Sequence, residues 1–80
     1  MTPIEIFEYK KRWQRNGNYH SVRLHSDLRN AGIEWCKTQL FKQQWDLLKY
    51  SNVYEDTYLF EYNQDYVSFI EQFDERFINQ

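Results

Sequence analysis

His20, His25 and Asp27 sit within one short stretch, and their types could do acid–base or metal chemistry. A histidine titrates near neutrality, and a carboxylate beside it can orient the ring, so such a pair can act as general base or metal ligand. The spacing argues otherwise. An odd separation sends His20 and His25 to opposite faces of a regular strand. His25 with Asp27 reads instead as a strand end meeting a helix cap. Cys36 would need a lowered pKa to be a nucleophile. It falls mid-helix on an apolar stripe, where a free cysteine behaves as a small hydrophobe. A single cysteine excludes an internal disulfide and a paired-cysteine zinc knuckle. Glycine-rich phosphate loops, zinc spacings and nucleophile elbows are missing too. The expectation is a protein that is not an enzyme and needs no cofactor or metal.

Two surface constellations remain. Around Tyr9, Trp13 and Tyr19, the residues Lys10, Lys11, Arg12, Arg15 and Arg23 interleave basic and aromatic types as a nucleic-acid surface can. A helix whose last turn matches its own dipole explains much of that pattern equally well. The second group is acidic and tyrosine-rich: Tyr50, Tyr54, Glu55, Asp56 and Tyr58, with Asp46, Glu61 and Asp65 nearby. Tyrosines dominate interface energetics, so this group is the expected contact surface for a protein partner. The charge is divided accordingly. Residues 1–40 carry seven basic and four acidic side chains, for +3, and residues 41–80 carry three and eight, for −5.

The positioning elements follow from periodicity. Thr2-Pro3-Ile4-Glu5 is a helix start with a capping box, and Asn16-Gly17-Asn18 is its stop. Tyr19 to His25 alternates as a strand, with His20, Val22 and Leu24 on one face. Ser26 or Asp27 caps a second helix running to about Phe41, with inner face Leu28, Ala31, Trp35, Cys36 and Leu40. Gly32 costs roughly 1 kcal/mol there relative to alanine, so a neighbour should approach closely. Trp45 to Tyr50 and Thr57 to Tyr62 are two strands joined by a loop at Ser51–Asp56. Asn63 caps a last helix with the stripe Tyr66, Phe69, Ile70, Phe73 and Phe77. The expected fold is a small α+β two-layer sandwich in the order α-β-α-β-β-α. Its helices pack on a three-stranded antiparallel sheet of order 1-3-2, with Trp35, Phe60, Ile70 and Phe73 buried together.

Sixteen aromatics in eighty residues suit a single domain over residues 1–80, because so short a chain is marginal unless its buried side chains are large. No apolar run approaches the roughly 20 residues that span a bilayer. Acidic residues stand where a signal peptide would be positive. With one cysteine, these features lead us to expect a cytoplasmic protein, monomeric or a weak homodimer, with no membrane association.

The words Met1-Thr-Pro-Ile-Glu-Ile-Phe-Glu-Tyr-Lys, Val22-Arg-Leu-His-Ser-Asp-Leu, Glu34-Trp-Cys-Lys, Gln44-Trp-Asp and Val53-Tyr-Glu-Asp-Thr-Tyr-Leu-Phe-Glu add a resemblance. Together they resemble a group of small uncharacterised proteins from tailed phages of marine cyanobacteria. The similarity spans roughly residues 1 to 62 and departs at Asn16-Gly17-Asn18, where that group has a proline-glycine pair. It implies a phage accessory protein in the host cytoplasm that binds a host or phage protein. It brings no functional residue with it.

Overall fold

Thr2 and Glu5 start the first helix by bonding reciprocally. The Glu5 amide donates to the Thr2 hydroxyl at 3.2 Å, and the Thr2 amide donates to the Glu5 carboxylate at 3.0 Å. In the computed structural model, which describes residues 1–80, this helix is α1, Pro3–Arg15. It closes with the Gly17 amide on the Gln14 carbonyl and the Asn18 amide on that of Trp13, the two bonds of a Schellman end. The reversal needs Gly17 in the left-handed region, at φ 74°.

The remaining elements are β1 (His20–His25), α2 (Arg29–Gln39), β2 (Trp45–Leu48), β3 (Glu55–Phe60), α3 (Asn63–Ile70) and β4 (Ile78–Asn79). Single 3₁₀ turns precede α2, β2 and β4. The architecture is α+β, with three helices and an antiparallel sheet. The sheet differs from the expectation. It has four strands rather than three, in the order β2-β3-β1-β4: β3 lies between β1 and β2 as expected, and the order changes because β4 is added on the outer edge of β1.

The added strand comes from the C-terminus. α3 ends at Ile70 instead of running to Phe77. Asp74 then accepts the Arg76 amide at 2.9 Å and caps a new turn, which delivers Ile78 beside Leu24 on β1. No glycine or proline marks this break, so helical periodicity overshoots it.

Register fixes the faces. Val22 pairs with Tyr58, Leu24 with Asp56, His20 with Phe60, and Leu47 with Tyr58. Alternation therefore sends Trp45, Leu47, Asp56, Tyr58, Phe60, Val22 and Leu24 to one face, beneath α2 and α3. The core there is Val22, Leu24, Cys36, Tyr58, Phe60 and Phe69. Phe69 is its hub, with ring centroids 4.7 Å from Tyr58, 5.1 Å from Phe60, 4.9 Å from Phe73 and 5.6 Å from Trp35. Of the expected core, Phe60 is fully buried, whereas Trp35, Ile70 and Phe73 are only partly buried at its edge. On α2 the inner face holds Gly32 and Cys36, and Ala31 is exposed. A Cβ at Gly32 would collide with the Tyr58 hydroxyl. That is the close approach its presence in a helix implied.

The other face carries Asp46 opposite Leu59. Here α1 reaches the sheet, with Gln14 donating to Asp46 at 2.7 Å and the Trp13 indole donating to the Gln43 carbonyl at 3.0 Å. No helix is long and apolar enough to cross a membrane.

Candidate functional site

Asp56 is fully buried. A carboxylate without water must be paired and hydrogen-bonded. The partner is Arg29, the first residue of α2, whose Nε donates to Asp56 Oδ2 at 3.0 Å and Nη2 to Oδ1 at 2.9 Å. This two-pronged contact matches the guanidinium fork to the carboxylate plane. Burial alone would raise the Asp56 pKa. The Arg29 bonds, the Tyr50 amide and the charges of Arg29 and Lys49 outweigh it, holding the group below the usual carboxylate range.

The pair organises the hairpin loop at residues 49–54. The Tyr50 amide donates to Asp56 Oδ1 at 2.8 Å. Tyr50 is held in the left-handed region, φ 53°, the only non-glycine residue so placed. Such a conformation costs roughly 1–2 kcal/mol for an L-residue and survives only where its surroundings dictate it. The Arg29 guanidinium, 4.2 Å from the Tyr50 ring centroid and bonded to its hydroxyl at 3.2 Å, completes the clamp.

Beyond Tyr50 the loop is fixed by its own bonds. The Tyr54 amide donates to the Asn52 side chain at 3.0 Å, Asn52 donates to the Glu55 carboxylate at 2.6 Å, and the Ser26 amide donates to the Tyr54 carbonyl at 2.7 Å. The Tyr54 ring stacks on His25 with centroids 6.4 Å apart, and His25 meets Phe77 edge-on at 6.2 Å. Tyr50, Val53 and Tyr54 nevertheless remain 64%, 77% and 67% exposed. Large apolar side chains stay in water on a backbone that is locked.

The expected partner surface is thereby divided. Tyr50 and Tyr54 lie outside and together. Asp56 and Tyr58 do not belong to it, because β3 begins two residues earlier than the pattern indicated and alternation turns both inward. Tyr58 packs beneath Gly32, and burial raises its pKa. Glu55 is half-buried, between Asn52 and Arg23, whose Nη1 is 3.9 Å away. With Asp56 neutralised and Glu55 engaged, the tip is aromatic rather than acidic. Arg29, His25, Val53 and Phe77 also contribute, and sequence reasoning did not assign them there. The one signal for Arg29 was a cation at a helix start, where the dipole disfavours it.

The basic residues of α1 and β1 form no continuous free surface. Lys10 lies 3.8 Å from Asp46 and Arg23 sits beside Glu55. Lys11 and Arg12 fold over the rings of Phe7 and Tyr9, while Arg15 is exposed. His20 stacks on Tyr66, and His25 Nδ1 accepts the Asp27 amide at 3.2 Å, so the histidines serve separate local roles. Burial pushes the Cys36 thiol up to about 12, the opposite of an activated nucleophile. Nowhere do three His, Cys, Asp or Glu side chains converge as a metal ion would need.

Comparison of the chain with protein-family models, curated proteins and solved structures gives no match.

Proposed function

We propose that this chain is a protein-binding module whose contact surface is the hairpin end, with Tyr50 and Tyr54 as anchors and Val53, His25 and Phe77 around them. The observation that carries the reading is the backbone of Tyr50, which is held left-handed by a buried ion pair while its ring is left exposed. Preorganised aromatic side chains lose little conformational freedom when they dock, and so bind well for their size. With its carboxylates engaged, the tip suits an apolar pocket in the partner better than a basic one. Association should therefore depend only weakly on salt. The phage resemblance supplies a context, an accessory protein acting in the host cytoplasm on a host or phage protein. The nucleic-acid reading is the weaker one, since two of its five residues already carry acidic counter-ions.

Capture of partners from a cyanobacterial lysate tests the reading, with melts recorded in parallel. Tyr54→Ala should leave the melt nearly unchanged and weaken capture, since losing a true anchor costs about 2 kcal/mol or more. Tyr50→Gly is the sharper variant. It relieves the left-handed backbone while deleting the ring, so stability should stay within about 1 kcal/mol of the parent as binding falls. Full capture by both variants, with loss on Lys11→Glu and Arg15→Glu, would transfer the function to α1.

A further inference from the structure

At the opposite end of β2 from Tyr50, three lysines from three elements converge on one recess. Lys10 comes from α1, Lys37 from the last turn of α2, and Lys42 from the turn before β2. The walls between them are Pro3, Ile6 and the indole of Trp45, and the recess encloses about 330 Å³. Three lysine side chains lining one recess make it electropositive unless carboxylates beside them offset the charge. Only Lys10 has a carboxylate, Asp46 at 3.8 Å, and that carboxylate also accepts from Gln14. Lys37 and Lys42 have none within ion-pair distance. The Lys10 ammonium also stands 5.7 Å from the Trp45 ring centroid, which fixes one cation against the aromatic wall. A neighbouring recess of about 460 Å³ shares Ile6, Lys37 and Lys42 and is walled by Met1, Leu40 and Phe41, but it lacks Lys10 and the flat indole of Trp45. The largest recess, about 700 Å³ beside the C-terminal segment, is lined by Glu71 and Glu75.

We infer that this recess binds a small organic anion, with a flat apolar body against Ile6 and Trp45 and an anionic head between Lys37 and Lys42. Its volume lies at the lower end of the roughly 300–1,000 Å³ usual for ligand pockets, which suits a body of about one ring. Lysine offers a point charge rather than the planar fork of arginine, so the head can be a phosphate ester or a carboxylate. The site uses neither Tyr50 nor Tyr54, and so stands apart from the protein-binding reading.

The test follows the indole N–H resonance of Trp45, assigned by its disappearance in Trp45→Phe. Phenyl phosphate, benzoate, phenol and inorganic phosphate are titrated in separate arms. Phenyl phosphate or benzoate, whichever head is preferred, should shift this resonance in a saturable way. Phenol and inorganic phosphate should bind at least about tenfold more weakly, because each lacks one half of the recognised chemistry. Both lysines are exposed and unpaired, so Lys37→Glu with Lys42→Glu should preserve the melt and weaken binding about tenfold or more. If that double variant melts early, Lys37→Gln and Lys42→Gln singly serve the same purpose. Equal shifts with phenol and phenyl phosphate, no saturable shift with either anion, or unchanged binding in the lysine variants would each overturn the inference.

Discussion

Asp56 is the residue on which the hairpin end depends, because its buried carboxylate ties Arg29 of α2 and the Tyr50 amide of the loop to the core. Replacing it with asparagine keeps the shape but leaves the Arg29 fork without its counter-charge. Breaking a buried pair on one side costs about 3 kcal/mol or more, against less than about 1 kcal/mol for an exposed pair. Denaturant unfolding of Asp56→Asn at neutral pH should show a loss of that size. The pH dependence has a definite sign. A carboxylate whose folded pKa is depressed stabilises the fold above its ordinary value of 3.8 and ceases to do so as pH falls through the folded value. The gap between parent and Asp56→Asn should therefore narrow as pH falls below 3.8. A gap that stays constant into strong acid would mean that the charge of Asp56 contributes nothing.

Two elements, α2 and α3, are held by contacts that make opposite demands on side-chain size. Gly32 in α2 has room for nothing, since an added Cβ would meet the Tyr58 hydroxyl and lie 2.8 Å from its Cζ. Helix propensity favours alanine there by about 1 kcal/mol, but overpacking a tight core costs about 1–3 kcal/mol, so the clash should win. Gly32→Ala should lower the melting temperature, and adding Tyr58→Phe should restore part of the loss by removing the nearest atom. Additive losses in the double variant would show that the two residues do not meet.

In α3 the demand is for bulk. Phe69 is completely buried and touches four rings, while Phe73 lies beyond the helix end and is only partly covered. Burying a phenylalanine side chain fully is worth about 1.5–3 kcal/mol, and truncation adds the cavity left behind, for about 3–5 kcal/mol in all. Phe69→Ala should thus leave little folded protein. Phe73→Ala should be milder and should still melt cooperatively. Equal losses would place both rings at the same depth and contradict the end of α3 at Ile70.

At the scale of the whole molecule, only ten of the eighty residues are buried, so stability rests on few side chains and several of them titrate. Burial raises the Cys36 thiol from 9.0 to about 12 and moves the Tyr58 phenol upward as well. A raised folded pKa means that the stabilisation is complete below the unfolded value and is lost as pH rises through the folded one. Stability should therefore decline from about pH 9 upward. Cys36→Ala should make that alkaline decline shallower, even if it lowers stability at neutrality. An unchanged slope between pH 8 and pH 11, read by denaturant midpoints, would show that the thiol is not the group responsible.

The sequence by itself determined the features that depend on neighbours along the chain. The Thr2–Glu5 capping box, the left-handed Gly17 and the alternation that buries Val22 and Leu24 were legible, because each involves residues within a turn or one face of one element. A glycine inside α2 signalled a close approach, but only the fold supplied Tyr58 as the neighbour. Tyr50 and Tyr54 could be named as a surface pair from composition and loop position alone. Only the tertiary structure decided the rest. A two-residue shift in the start of β3 moved Asp56 from the loop to the core, and nothing local sets that start, because it depends on Arg29 being present across the fold to neutralise the charge. The end of α3 and the fourth strand were likewise invisible. The stripe through Phe73 and Phe77 satisfies a helix as well as a turn, and pairing of Ile78 with Leu24, far away in sequence, chooses the turn. Helical periodicity records which residues prefer to be covered, whereas long-range strand pairing decides what covers them.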